Sequence, residues 1–107
     1  MAVGCLLSTR PCGLDIESFR IDCSSIITYA MNPDEAHLIQ SSSDPNLEFI
    51  RLWTQKEAIL KCKGTGIADN LKNALAPASL QGYELKTTVK DGYVYSTAEQ
   101  TVADVDG

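Results

Sequence analysis

The residues of this chain that could do chemistry fall in two short motifs. Asp15 and Glu17 are separated by one residue, and much later in the chain Glu57 precedes Lys61 by four positions. Carboxylate oxygens are ligands that Mg²⁺ prefers, and an ammonium group can neutralise a phosphate oxygen. If the fold brings the two motifs together, these four side chains could hold a divalent cation beside a phosphorylated substrate.

The first motif lies on a predicted β-strand, residues 12–16. Side chains alternate between the two faces of a strand, so Asp15 and Glu17 share one face while Ile16 points the other way, into the core. Two acids on one face repel each other unless a positive group lies between them. This pattern favours a cation at Asp15 and Glu17.

The second motif lies on the longest predicted helix. Asp44 is the expected N-cap, Pro45 the first helical residue and Gly64 the residue that ends the helix after about residue 63. The expected apolar stripe of this helix consists of Phe49, Leu52, Trp53, Ile59 and Leu60.

The spacing within this helix gathers three of its residues on one side. Trp53, Glu57 and Lys61 are at positions i, i+4 and i+8, which lie above one another on a helix surface. Lys61 is also close to the C-terminal end, where the helix dipole favours a cation. The helix would therefore present a carboxylate and an ammonium group to the same site.

Further strands and short helices complete the predicted fold. Asp91 and Gly92 form a typical hairpin turn between two alternating segments. The order of elements predicts an α+β domain, with a small, mostly antiparallel sheet packed against one long helix and shorter helices. The additional predicted elements are strands at residues 3–7, 83–89 and 93–98, helices at 24–31 and 33–40, and a helical turn at 68–75 that Pro77 ends.

The bulk composition bounds the class of protein. We expect residues 1–98 to form one domain, and residues 99–107, which carry three acids and no Lys or Arg, to form a frayed acidic tail. The net charge of −5 gives no basic surface of the kind that binds nucleic acid. No apolar segment approaches the roughly 20 residues that span a bilayer, and no basic leader is present, so we expect a cytoplasmic protein.

The cysteines and the histidine do not predict a metal or nucleophile site of their own. The four cysteines show no C-x-x-C spacing, and His37 is the only histidine. We therefore expect reduced cysteines that pack as small apolar residues, with neither a zinc site nor a Cys–His pair.

Taken together, the two motifs resemble those of 4′-phosphopantetheinyl transferases. Residues 13–17, GLDIE, are similar to the family's GxDxE motif, and residues 53–61, WTQKEAILK, are similar to W-S/T-x-K-E-A/S-x-x-K. The resemblance extends over residues 3–98, although it is only general beyond Gly66. Trp53 and Glu17 make the chain similar to the second lobe of the two-lobed, surfactin-synthetase-activating type. The resemblance includes no first lobe, so we expect either a truncated or misassigned start, with a partner lobe needed for activity, or a genuinely short variant.

The resemblance implies a reaction and a set of roles. The family moves the phosphopantetheine arm of coenzyme A onto a serine of an acyl or peptidyl carrier protein. It implies that Asp15, Glu17 and Glu57 hold Mg²⁺ or Mn²⁺ and that Lys61 binds a phosphate oxygen. Lys56 is a weaker candidate for coenzyme A, because it points about 100° away from Glu57 on an ideal helix.

Two roles stay open under this resemblance. The general base is either Glu57 or a water molecule on the metal. Glu35 matches an acid in the family's P-x-E helix and could orient the carrier serine, but it is also a simple charge at a helix N-terminus.

Each motif alone also has a simpler interpretation. A D-x-E pair at a strand end is usually solvated, and a Glu–Lys pair one turn apart is usually a surface ion pair worth about 0.3–0.5 kcal/mol. Both motifs together, in the family's order, favour the functional interpretation. Two other hypotheses are a half-domain that binds coenzyme A or a carrier protein without turnover, and a lobe whose exposed apolar face makes it a homodimer or larger oligomer.

Overall fold

The computed structural model describes residues 12–18, 27–64 and 71–101. These ranges form an α+β fold, which confirms the predicted class. Within them, no helix combines the length and hydrophobicity that crossing a membrane requires. The elements, in chain order, are β1 (Cys12–Ser18), α1 (Ile27–Ala30), α2 (Pro33–Ser41), α3 (Pro45–Lys63), α4 (Pro77–Leu80), β2 (Tyr83–Lys90) and β3 (Tyr93–Gln100).

The three strands form one antiparallel sheet in the order β1-β3-β2. In this register Ser96 of β3 lies between Asp15 of β1 and Thr87 of β2. The predicted hairpin between β2 and β3 is confirmed, and Gly92 takes the positive φ of 86° that its turn requires. The strand β3 continues to Gln100, two residues past its predicted end.

The long helix α3 begins and ends where the sequence predicts. Asp44 caps it by accepting a hydrogen bond from the backbone N–H of Leu47 at 3.2 Å. At the other end Gly64 adopts φ 75°, and its N–H donates to the carbonyls of Leu60 and Lys61. The apolar side chains of α3 pack on the sheet and form the centre of the core, in which Phe49, Ile50, Ala58, Ile59, Val94 and Ala98 are fully buried.

The helix α3 covers the face of β1 that carries the two acids, which corrects one prediction. Asp15 and Glu17 both hydrogen-bond side chains of α3. Ile16 therefore lies on the opposite face of the sheet, where it is 55% exposed. Our placement of Ile16 in the core was wrong, because alternation along a strand separates two faces without indicating which of them the helix covers.

Several smaller predictions also have outcomes. The capped helix expected at 33–40 is confirmed as α2, and of the helix expected at 24–31 the structure describes α1. Of the helical turn expected at 68–75, the structure describes residues 71–75, and the turn at 72–75 ends before Pro77. Pro77 itself begins the short helix α4, in the position where proline's fixed φ suits a first turn. Cys62 is a buried thiol, whereas Cys12 is disulfide-bonded, so the expectation of reduced cysteines was wrong for Cys12. The strand expected at 3–7 and most of the tail, residues 102–107, lie outside the described residues.

Gly13 allows β1 and α3 to approach each other more closely than any other residue would. A Cβ at this position would overlap the carbonyl oxygen of Ala58 and lie 2.6 Å from the backbone nitrogen of Cys62. Because these are backbone atoms, they cannot rotate away, and Gly13→Ala must separate the strand from the helix. We expect this substitution to lower the free energy of unfolding, measured by urea denaturation, by about 1–3 kcal/mol.

A second glycine provides the control for this measurement. Gly82 has φ 85° and open space around it, and asparagine tolerates this left-handed backbone conformation. We expect Gly82→Asn to cost less than Gly13→Ala. Equal stability of Gly13→Ala and the wild type would show that the close approach of β1 and α3 is unimportant.

Candidate functional site

The two sequence motifs meet along the line where α3 crosses β1. We call this region the seam and define it by Asp15 and Glu17 of β1 and by Trp53, Glu57 and Lys61 of α3. The predicted spacing of Trp53, Glu57 and Lys61 along one side of the helix turns all three toward the strand. The structure therefore brings together four of the five predicted site residues, with Trp53 beside them.

Lys61 connects the two elements at one end of the seam. Its Nζ donates to Asp15 Oδ1 at 3.0 Å and to the backbone carbonyl of Leu14 at 3.1 Å. The Asp15 side chain is largely buried, whereas that of Lys61 is 51% exposed. Lys61 thus has its ammonium fixed next to an acid and still reachable from solvent.

Trp53 connects the elements at the other end. Its indole Nε1 donates to Glu17 Oε2 at 3.3 Å, and its ring stacks on Phe49 with 5.9 Å between ring centroids. We expected Trp53 mainly as a packing residue. It packs, and it also orients one of the predicted metal ligands.

Glu57 lies one helical turn from each of these two contacts. It is only 6% exposed, and its Oε2 has no hydrogen-bond partner among the described residues. The buried Oδ2 of Asp15 likewise has no hydrogen-bond partner among the described residues. A buried acceptor oxygen without a partner is costly in a folded protein. Two of them in one seam fit a site that binds a positively charged group.

The protonation of these acids reflects the same arrangement. Burial raises the pKa of Asp15 to about 6, although the hydrogen bond and charge of Lys61 oppose the rise, and the charges of Glu17 and Glu57 add to it. Burial also raises the pKa of Glu57, with Lys61 lowering it and Glu17 raising it. Burial therefore disfavours the charged form of each carboxyl group, and a bound cation would stabilise that form.

The donor set suits a hard divalent cation, but its side chains are not gathered in coordinating geometry. Mg²⁺ takes carboxylate oxygens together with water and phosphate oxygens, so it needs few protein ligands. Nowhere in the described ranges do three or more His, Cys, Asp or Glu side chains form a group that could hold a metal ion. At this seam one oxygen of Asp15 is bound by Lys61 and one of Glu17 by Trp53, which leaves the second oxygen of each carboxylate for other contacts.

Lys56, the fifth predicted site residue, makes its contacts elsewhere. Its side chain is 0% exposed. Its Nζ pairs with Glu35 Oε1 at 2.7 Å and donates to the carbonyls of Leu71 and Lys72 at 2.8 and 2.9 Å. These three acceptors match the three N–H donors of an ammonium group. The structure does not bring Lys56 together with the seam.

Glu35 is engaged in the same buried cluster. Besides its pairing with Lys56, its Oε1 accepts from the backbone N–H of Asn32 at 3.0 Å, and Asn32 Oδ1 accepts from the backbone N–H of Glu35 at 2.9 Å. This is a capping box at the start of α2. The charge at the helix N-terminus that we expected is present, and it joins α2 to α3 through Lys56.

Sequence reasoning missed three residues that shape the site. Gly13 was noted as part of a motif, but its contact with the backbone of α3 was not foreseen. Thr54 and Ser96 are fully buried and hydrogen-bonded to each other at 2.8 Å. Thr54 lies next to Trp53 in the predicted helix and Ser96 lies in the predicted strand 93–98, but neither was assigned to the core.

Comparison with known proteins agrees with this geometry. A model of the 4′-phosphopantetheinyl transferase superfamily matches residues 11–101. The 4′-phosphopantetheinyl transferase HetI of Nostoc sp. strain PCC 7120 is 39% identical over 75 residues, which cover 64% of this chain and 32% of that protein. The chain thus matches about a third of the length of this relative.

The family match includes both motifs, the whole seam and every described helix and strand. The fold brings together the two acids of the first motif with Trp53, Glu57 and Lys61 of the second, whereas Lys56 lies apart from them. The chain belongs to the 4′-phosphopantetheinyl transferase superfamily.

Proposed function

We propose that this chain transfers the 4′-phosphopantetheine arm of coenzyme A to a serine of an acyl or peptidyl carrier protein, in a reaction that depends on Mg²⁺. The observation that carries the proposal is the seam itself. It contains two buried carboxylate oxygens, of Asp15 and Glu57, that have no hydrogen-bond partner among the described residues, and beside them the half-exposed ammonium of Lys61. Family membership supports the type of reaction, and the seam supplies the chemistry that this reaction needs.

The reaction requires that negative charge on the pyrophosphate of coenzyme A be neutralised. The serine oxygen attacks the β-phosphate of coenzyme A, and adenosine 3′,5′-bisphosphate leaves. Asp15, Glu17 and Glu57 would hold the divalent cation, which when bound neutralises charge on the pyrophosphate. Lys61 is anchored by Asp15 and Leu14. Its role in this proposal is to bind a phosphate oxygen from the solvent side of the seam.

The proton of the attacking serine also needs an acceptor. Glu57 is one candidate, because it lies in the seam and burial raises the pKa of its carboxyl, which favours acceptance of a proton. A water molecule in the seam is the alternative. Either acceptor would act within the same group of side chains.

The test is a transfer assay with an apo carrier protein, coenzyme A and Mg²⁺, followed by mass spectrometry of the carrier. We expect a gain of one phosphopantetheine group on the carrier serine, lost when EDTA removes the metal. Because the chain matches only 32% of its relative HetI, the assay is also run with a separately supplied first lobe from a two-lobed transferase. No mass gain in either format would refute the proposal.

The partial match to the relative also favours a second candidate function. The chain could be a half-domain that binds coenzyme A or a carrier protein without catalysing transfer. Isothermal titration calorimetry with each of these distinguishes the two functions, since binding without transfer favours the half-domain.

We also propose that the protein is cytoplasmic and that it self-associates. The sheet face that exposes Ile16 and Tyr93 would form the contact between copies. Light scattering would test the self-association.

A further inference from the structure

A circuit of hydrogen bonds fastens α3 to the sheet behind the seam. Gln55 Nε2 donates to Thr87 Oγ1 at 2.8 Å, and the hydroxyls of Thr87 and Ser96 lie 2.9 Å apart. The hydroxyl of Ser96 lies 2.8 Å from that of Thr54, and Thr54 Oγ1 donates to the carbonyl of Arg51 at 3.0 Å. The circuit leaves the helix, crosses β2 and β3 and returns to the helix.

The two ends of this circuit fix the direction of every bond in it. The amide nitrogen of Gln55 can only donate, and the carbonyl of Arg51 can only accept. Each hydroxyl has a single hydrogen, so Thr87 must donate to Ser96, Ser96 to Thr54, and Thr54 to Arg51. With the Gln55 amide turned over, Thr54 could no longer donate to Arg51. All four hydrogen bonds of the circuit form together in one arrangement only.

The circuit lies directly behind the predicted ligands. Ser96 is the residue of β3 that pairs with Asp15 of β1. Thr54 follows Trp53 in the sequence and precedes Glu57 by three positions, one turn of the helix. If α3 slid along its axis or rotated about it at Thr54, Glu57 would therefore move relative to Asp15.

We propose that Thr54 and Ser96 are positioning residues, which set the register of α3 over the sheet and so hold Glu57 and Lys61 opposite Asp15 and Glu17. Apolar side chains at both positions would fill the same space, but apolar contacts are not directional and allow the helix to slide or turn. A fully satisfied hydrogen-bond network specifies one arrangement. The part of this inference that concerns the metal rests on the proposed function.

The chain contains its own reporter for this proposal. Trp53 is the sole tryptophan and hydrogen-bonds Glu17 across the seam, so its fluorescence emission responds to the position of α3. We expect Thr54→Val to shift that emission and increase acrylamide quenching in the folded protein. We expect the same variant to weaken Mg²⁺ binding, measured by calorimetry, by about tenfold. Thr54→Ser restores the hydroxyl and should resemble the wild type in both measurements.

A variant on the same helix provides the matched control. Asp44→Ala removes the N-cap of α3 far from the seam, so it should lower the melting temperature without altering Trp53 emission or Mg²⁺ affinity. Ser96→Ala removes the hydroxyl of β3 that hydrogen-bonds Thr54. It takes the place of Thr54→Val if the Thr54→Val protein does not fold.

The results of these experiments separate the positioning role from the metal site. Folded Thr54→Val and Ser96→Ala proteins with wild-type emission, and a loss of stability like that of Asp44→Ala, would overturn the positioning role. Failure of the wild type to bind Mg²⁺ would overturn the metal site of the proposed function instead. In that case the Trp53 emission of the variants still decides whether the circuit sets the register of α3.

Discussion

Glu57→Gln should abolish phosphopantetheinyl transfer while the protein stays folded. Glutamine has nearly the shape of glutamate, so the packing of α3 on β1 should persist. The substitution removes one negative charge from a buried position where burial already raises the pKa of the carboxyl, so the stability of the metal-free protein should not fall. It also removes the charge that would face the cation and the group that would accept the serine proton. Loss of such electrostatic stabilisation costs about 10²–10³-fold in rate.

The measurement is the rate of holo-carrier formation, with circular dichroism to verify the fold. Glu84→Gln is the matched control, because Glu84 is exposed on β2; it should keep the wild-type rate. A Glu57→Gln protein that transfers at the rate of Glu84→Gln would remove Glu57 from the site, and with it the central residue of the seam.

Lys56→Met should cause a large loss of stability. Methionine follows the path of the lysine chain but has no ammonium group. The carboxylate of Glu35 and the carbonyls of Leu71 and Lys72 would then lose a buried donor. Removing one partner of a buried ion pair typically costs about 3–5 kcal/mol. Urea denaturation should show this loss as a lower midpoint.

Two further variants identify the cause of that loss. Lys86→Met changes an exposed lysine of β2 and should alter stability by less than about 0.5 kcal/mol. Adding Glu35→Leu to Lys56→Met should recover part of the loss, because the carboxylate is no longer left without its partner. A Lys56→Met protein as stable as Lys86→Met would mean that the buried cluster contributes nothing to the fold.

The course of α3 was predictable because its signals are local. Asp44, Pro45 and Gly64 mark the two ends of the helix, and each acts on atoms within a few residues of itself. The side of α3 that carries Glu57 and Lys61 follows from helix periodicity alone. The β2–β3 hairpin was predictable for the same reason, since the turn at Asp91 and Gly92 is formed by neighbouring residues.

The features that were mispredicted or missed depend on residues far apart in the sequence. The face of β1 that meets α3 is set by the glycine at position 13, and Ile16, although apolar, lies on the other face. The burial of Lys56 depends on acceptors 15, 16 and 21 positions away. Nothing in the sequence next to Lys56 distinguishes it from Lys61, which is half exposed.

The contact at Gly13 gives the seam two unequal ends. Near Lys61 the strand and the helix meet backbone against backbone, so this end of the seam is tightly closed. Near Trp53 a hydrogen bond of 3.3 Å between side chains joins them. If a pyrophosphate binds at the seam as proposed, we expect it to find room at the Trp53 end, where a side-chain hydrogen bond breaks more easily than two backbones in contact separate.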